Sequence, residues 1–411
     1  MGSGLRSIRL TAGRRPERSD ARNNQEPVLG RGTMKHADGE ATRRLNRLQL
    51  KSSVLIGMVV LSLGLLPGIP GTCEAAELDE QIRGFLEECR TRAAATEETD
   101  EPIVRGQDGW LFLASELRHV SVGKFWGDEA QAVSRASKAA ARDPLPAILD
   151  FNRQLKELGI DLLFVPVPPK VVVYPEKLSE QAPTKEGMPV RIDAQHQALY
   201  ALLESQGVAV LDLTDTFLTA RKDDATKGPV YCLQDSHWSA RGCALAAEQI
   251  RAKIGERPWM KDTPHVDLTT RDERREITGD LYGLLKEAPP PKETLTWRVV
   301  GTGSDVEPLE ADRASPVLLL ADSHGLVFHI GGEMHARGAG LSDQLSLEWG
   351  FRIDTLAKRG SAASAARGDL ARRFFTDEDY RNGKRLIIWC LTAREFTEGN
   401  GWSVFQITKQ K

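Results

Sequence analysis

The chain has 411 residues, 40% hydrophobic and 27% charged, enough apolar material for one large core or two modest ones. The formal net charge is −3, with a basic stretch over residues 1–76 ahead of an acidic remainder. A body of that charge has no general attraction for nucleic acid or anionic lipid, so those partners are disfavoured.

The basic stretch has a specific reading. Arg43, Arg44, Arg47 and Lys51 precede the apolar run VLIGMVVLSLGLL, Val54 to Leu66, which Pro67 ends and the small-residue segment TCEAAE follows. A charged segment, a short apolar run and a small-residue exit describe a secretory signal peptide cut after Ala75 or Ala76. The run is short for a membrane span, which needs about 20 apolar residues, and an uncleaved anchor at 54–66 is the alternative. Residues 1–33 read as disordered, with Met34 as a candidate start. Either way the body is expected outside the cytoplasm, periplasmic or otherwise exported. There Cys89, Cys232, Cys243 and Cys390 are free to form disulfides in any of three pairings, or to stay as buried thiols. No CxxC or HExxH pattern occurs, so no zinc site is indicated.

Residues 77–103, polar and acidic near Glu97 to Glu101, read as a linker, and 104–411 as a single catalytic domain. GQDGWLFL, Gly106 to Leu113, is a turn followed by a buried strand. Leu145, Ile148, Leu149, Phe151, Leu155 and Leu158 share one face of a helix over about 144–158, which Gly159 stops. DLLFVPVPP follows as a buried strand. A second helix over about 192–206 stops at Gly207 and leads into the strand VAVLDLT, 208–214. QDSHWS, Gln234 to Ser239, then opens a helix over about 239–254. The segment 256–312, rich in Pro, Thr and charge, reads as an excursion from the sheet. PVLLLADSHG, Pro316 to Gly325, is a buried strand running into a tight turn; LSDQLSLEWGF is helical, and Lys384 to Phe396 supplies a last strand. Short apolar strands alternating with helices predict an α/β fold, a mainly parallel sheet with helices on both faces.

Ligands of such sheets bind outside the carboxyl ends of the strands, and Ser323 stands at one of them. A serine needs a base to take its proton, and the base needs an acid to orient it. Asp235 and His237, two apart in an extended segment, point to the same side and supply both. Taken singly, Ser323 reads as an ordinary turn or N-cap residue, and Asp-x-His as a solvated loop. Three further residues have two readings each. Lys170, after Pro168-Pro169, either faces the cleft or is a surface lysine. Arg394, with Glu395, either contacts an anion or sugar or forms a structural ion pair. Trp238 either stacks on a sugar or packs beneath the loop.

The motifs carry the reading further. DSHWS resembles the D-[ST]-HWS segment of the alginate O-acetyltransferases of the AlgJ and AlgX type, members of the SGNH hydrolase superfamily. ADSHG stands where that family has its GDS nucleophile block. The resemblance extends to GWLFL at 109–113, VPVPPKVVVYPEKL at 165–178, GDL at 279–281 and AGLSDQL at 339–345, covering roughly residues 104–398. It implies a three-layer SGNH-like α/β/α fold, with Ser323 as nucleophile, His237 as general base and Asp235 as orienting acid. Ala321 replaces the usual glycine and His324 the common aromatic. The Gly and Asn blocks that complete the oxyanion hole of simpler members are not identifiable. The implied activity is exported polysaccharide O-acetylation through an acetyl-enzyme, with no metal or nucleotide cofactor. Its implied partners are a polysaccharide acceptor and a membrane-bound O-acyltransferase that supplies acetyl groups, within an export complex. A carbohydrate acetyl esterase and a non-catalytic polysaccharide-binding component are the rival readings.

Overall fold

The computed structural model of the protein describes residues 70–99, 101–285 and 292–408. The expected signal peptide or anchor at 54–66 and the candidate start at Met34 lie outside the described residues. No helix among the described residues is long and apolar enough to cross a membrane.

The first element corrects the expected linker. Helix α1, Pro70–Thr99, covers most of residues 77–103 and contains the expected cleavage positions after Ala75 and Ala76. Ile82, Phe85, Leu86, Cys89 and Ala93 recur three or four residues apart, and Phe85, Cys89 and Ala93 are buried in the main core. Glu97 and Glu98, among the acidic residues that suggested a linker, are exposed on its last turn. Strands β1, Ile103–Arg105, and β2, Leu111–Leu113, pair antiparallel as a two-stranded ribbon apart from the main sheet. The expected strand at GWLFL therefore exists but does not join the central sheet.

Helices α2, Ala114–Ser121, and α3, Pro144–Glu157, follow, the latter capped by the Asp143 carboxylate accepting from Leu145 N–H. Next come β3, Asp161–Val167, α4, Ala194–Ser205, the short β4, Ala209–Val210, and α5, Ala240–Ile254. The excursion forms an antiparallel sheet of β5, Thr269–Ile277, β6, Glu293–Thr302, and β7, Glu307–Pro308, with the short α6, Asp280–Leu284, inside it. The chain closes through β8, Val317–Ala321, α7, Leu341–Trp349, β9, Asp354–Ala357, α8, Arg367–Thr376, and β10, Leu386–Thr392.

The central sheet has five strands, all parallel, in the order β9-β8-β10-β3-β4. Its inner strands β8, β10 and β3 are nearly continuous apolar runs because both faces are covered. Successive side chains alternate between two cores. Val317, Leu319 and Ala321 of β8, with Leu386, Ile388 and Cys390 of β10, pack toward Cys243 and Ala246 of α5 and Leu345 of α7. Leu318, Leu320, Ile387 and Trp389 pack toward Ile148 and Phe151 of α3, Leu199 of α4 and Leu370 of α8. This is the three-layer α/β/α architecture expected. All four body cysteines are free and buried, which is the unpaired alternative.

Candidate active site

The site is assembled at the carboxyl ends of β8, β10 and β3, with a loop and the excursion sheet closing over it. After β8 the chain turns sharply at Asp322. Its side chain accepts from the His324 N–H at 2.8 Å and from the Thr392 N–H at the end of β10, also at 2.8 Å. Gly325 is required here because a Cβ would lie 2.4 Å from the Ala321 Cβ. The turn presents the Ser323 hydroxyl, while the Ser323 carbonyl accepts from Leu326 and Val327 N–H. The Ser323 backbone N–H engages no acceptor among the described residues.

The QDSHWS segment comes in from the other side, bridged at Tyr231 and Trp238. His237 Nε2 lies 2.7 Å from Ser323 Oγ, and His237 Nδ1 lies 2.6 Å from Asp235 Oδ1. A carboxylate can only accept, so Nδ1 carries the proton and Nε2 presents its lone pair to the serine hydroxyl. Burial would raise the Asp235 carboxyl, but the charge and hydrogen bond of His237 and the hydrogen bond of His335 hold it well below the usual range. Burial would likewise lower His237; the charge and hydrogen bond of Asp235 outweigh it and raise the imidazole above its ordinary value. Ser323 is 7% exposed and His237 5%, so this is a nearly enclosed Ser–His–Asp arrangement of the geometry that activates a serine.

Neighbours hold the arrangement from behind. The Asp280 N–H donates to Asp235 Oδ2 at 2.9 Å, and the Asp280 carboxylate accepts from both the N–H and the hydroxyl of Ser236 at 2.7 Å each. That reciprocal clamp needs Gly279, since a Cβ there would lie 1.9 Å from the Gln234 carbonyl oxygen. Glu293, at the start of β6, accepts from Leu233 and Gln234 N–H. His335 Nε2 reaches Asp235 Oδ2 at 2.8 Å. Asp280 lay within the GDL block. Glu293 and His335 belong to no motif and had no signal beyond residue type.

Of the three residues with two readings, two prove structural. Lys170 is fully buried, and its ammonium donates to the carbonyls of Leu111, Leu233 and Asp235 at 2.7, 2.9 and 3.1 Å. The ammonium also lies over the Trp110 and Phe112 rings. Neither the cleft nor the surface describes it: this lysine ties the acid-bearing loop to β2. Trp238 is also fully buried, edge-on to the His324 ring with Nε1 donating to the His324 carbonyl at 3.2 Å, so it is packing and not a sugar platform. Arg394 does not pair with Glu395, whose carboxylate instead accepts from Ala362 and Ala363 N–H at 2.9 Å each. Arg394 stands half-buried at the end of β10, bonded to the Thr392 hydroxyl and in no ion pair among the described residues. Its charge is felt by Glu116, His237 and Asp322, which places it beside the site.

Among the described residues, one group has ligand-like spacing for a cation: Asp235, His237 and Asp280, with candidate atoms within 4.8 Å of one another. His237 Nδ1 already serves Asp235 there, so a cation would have to displace the hydrogen bond that orients the imidazole. A cavity of about 730 Å³ runs along α5 past Arg241 and Glu248 and is lined by none of these residues. The site is defined by its hydrogen-bond chemistry, not by cavity size.

Comparison with known proteins agrees with the fold. The family model described as "SGNH hydrolase-like domain, acetyltransferase AlgX" matches residues 103–392. A protein of Pseudomonas aeruginosa named "Probable alginate O-acetylase AlgJ" is 26% identical over 184 residues, which is 44% of this chain and 41% of that protein. One of the same name from Pseudomonas syringae pv. tomato is 27% identical over 258 residues, 59% of this chain and 62% of that protein. The chain thus spans roughly half the length of these curated relatives. Two solved structures share the fold. The O-acetyltransferase domain of Pseudomonas putida AlgJ has a TM-score of 0.52 at 18% identity, over 74% of this chain and 95% of that one. Pseudomonas aeruginosa AlgX has a TM-score of 0.51 at 17% identity, over 72% and 63%. The match over 103–392 and the fold together show that this chain belongs to the AlgX-type SGNH hydrolase-like family.

Proposed function

We propose that this protein is a polysaccharide O-acetyltransferase in which Ser323 carries the acetyl group between donor and acceptor. The observation that carries the reading is the unbroken hydrogen-bonded chain from Ser323 through His237 to Asp235. Family membership and the relatives named as alginate O-acetylases point to acetyl as the group and to an alginate-like polysaccharide as acceptor.

In the first half-reaction His237 Nε2 takes the Ser323 proton as Oγ attacks the acetyl carbonyl, and Asp235 stabilises the imidazolium that forms. The Ser323 backbone N–H is one donor to the oxyanion. The tetrahedral species expels the donor's leaving group, which takes the proton from His237, and acetyl-Ser323 remains. In the second half-reaction His237 removes the proton of a sugar hydroxyl. That oxygen attacks the acetyl carbon, and the proton returns to Ser323 as it leaves. Arg394, with no carboxylate partner among the described residues, is the candidate contact for an anionic sugar.

An enzyme of this kind works where the polysaccharide is exported. The basic segment and apolar run before Pro67 support a periplasmic or other extracytoplasmic location. A membrane-bound O-acyltransferase is the proposed source of acetyl groups. The test is to incubate purified protein with an activated acetyl ester, with and without alginate-type oligosaccharide. Transfer predicts acetylated sugar at the expense of free acetate. Free acetate alone, unaffected by any acceptor, makes the protein an esterase and overturns the proposal.

A further inference from the structure

We propose that His335 is a positioning residue of this site, a second imidazole that holds Asp235 from the face opposite His237. The inference rests on the catalytic reading of Ser323, His237 and Asp235. It concerns a residue outside the motifs that led to them.

Asp235 has both carboxylate oxygens fully engaged. Oδ1 accepts from the backbone N–H and the Nδ1–H of His237, at 3.0 and 2.6 Å. Oδ2 accepts from the Asp280 N–H at 2.9 Å and from His335 Nε2 at 2.8 Å. Of the four donors, the two on Oδ2 prevent the carboxylate from turning about its Cβ–Cγ bond, which would withdraw Oδ1 from His237. The Asp280 donor is backbone, fixed by the fold; the His335 donor is a side chain whose ring is 9% exposed and lies against Phe328.

The backbone shows what it takes to put the ring there. His335 has φ 70° and ψ −73°, the strained γ-turn conformation, and the turn is closed by the Ala336 N–H donating to the Met334 carbonyl at 3.0 Å. Phe328, against which the ring rests, also has a positive φ, 59°. Such backbone states are costly and persist where the surroundings impose them, often at functional sites. Hydrogen bonds from Gly331 N–H to Ala336, Phe328 N–H to Met334 and Ala339 N–H to Phe328 impose this one. A loop free to relax would place glycine at 335. Here a histidine occupies the position and its ring spans to a buried carboxylate 100 residues earlier.

The test compares His335→Ala, His335→Gly and His335→Gln for turnover of an activated acetyl ester and for melting temperature, with Ser323→Ala alongside. Glutamine carries its Nε2 the same number of bonds from Cα and can donate to the same oxygen. Ala and Gly should each lose about 10–100-fold in kcat, the range expected for slight misplacement of a catalytic group, with KM within about twofold. Gln should recover most of the loss. Gly should melt above Ala, because it relieves the positive φ, yet be no more active. If the role were only structural, activity would follow stability, and Gly would regain it while Gln would not. That pattern, or wild-type kcat in all three variants, overturns the inference. Full activity in Ser323→Ala would overturn the functional reading and this inference with it, whereas an inactive Ser323→Ala beside active His335 variants overturns this inference alone.

Discussion

Replacing Lys170 by methionine separates a structural cation from a substrate contact. The side chains are close in length, so the change removes charge and donors with little change in volume. It leaves the buried carbonyls of Leu111, Leu233 and Asp235 without the donor they share. An unpaired buried polar group costs about 1–3 kcal/mol. The Leu233 carbonyl keeps the Leu111 N–H at 3.0 Å, so the other two set an upper range, offset in part because burying an ammonium itself costs several kcal/mol. Burial already pushes the Lys170 pKa down, which is the same cost seen as a titration shift. The net destabilisation should be about 2–5 kcal/mol, the scale on which breaking one side of a buried charged network falls. In a chain of this size that lowers the melting temperature by roughly 4–10 °C. Because one carbonyl belongs to Asp235, kcat on an acetyl ester should fall while KM stays. The assay is thermal and urea unfolding of the purified variant, with steady-state kinetics on the same sample. Undiminished stability with a raised KM would refute the reasoning and make Lys170 a substrate contact after all.

Other outcomes follow from the same geometry. Ser323→Ala, His237→Ala and Asp235→Ala should each lower acetyl-ester turnover by at least about a hundredfold, with no further loss on combination, since they act as a unit. On the proposed mechanism the neutral form of His237 is the base, and Asp235 raises its pKa above the ordinary imidazole value; kcat/KM should therefore rise with pH through a midpoint above that value. Asp235→Asn removes the charge that raises it, so the midpoint in the pH profile should move down. Gly279→Ala puts a Cβ against the backbone of Gln234, where no flexible side chain can yield. It should destabilise the protein by ~2 kcal/mol or more in urea unfolding and cut kcat by displacing Asp280 from Asp235.

Sequence legibility differed by the kind of signal. The parallel sheet was readable because β3, β8 and β10 are unbroken apolar runs, the mark of strands buried on both faces. β9, DTLA within FRIDTLAKRG, carries no such run because it sits at the sheet edge among polar neighbours, and it was missed. Helix α1 was hidden for a different reason: its acidic face dominated the composition, while the spacing of Phe85, Cys89 and Ala93 marked the buried side. At the site, Asp235, His237 and Ser323 were legible because their chemistry needs those residue types and Ser323 follows a buried strand. Lys170 was legible as notable but not as structural, because three carbonyls from β2 and a distant loop converge on it only in the fold. His335 and Glu293 act through contacts 100 and about 60 residues distant in sequence, with no local pattern to announce them.

The central claim is that Ser323 is acylated during turnover and passes the group to a sugar. Protein quenched during reaction with an activated acetyl ester should carry one added acetyl group on the peptide containing Ser323, detectable by mass spectrometry. Adding the acceptor oligosaccharide should speed loss of that adduct and yield acetylated sugar, and His237→Ala should fail to accumulate it. Turnover with no adduct on Ser323, or an adduct whose decay no polysaccharide changes while free acetate accumulates, would contradict the account.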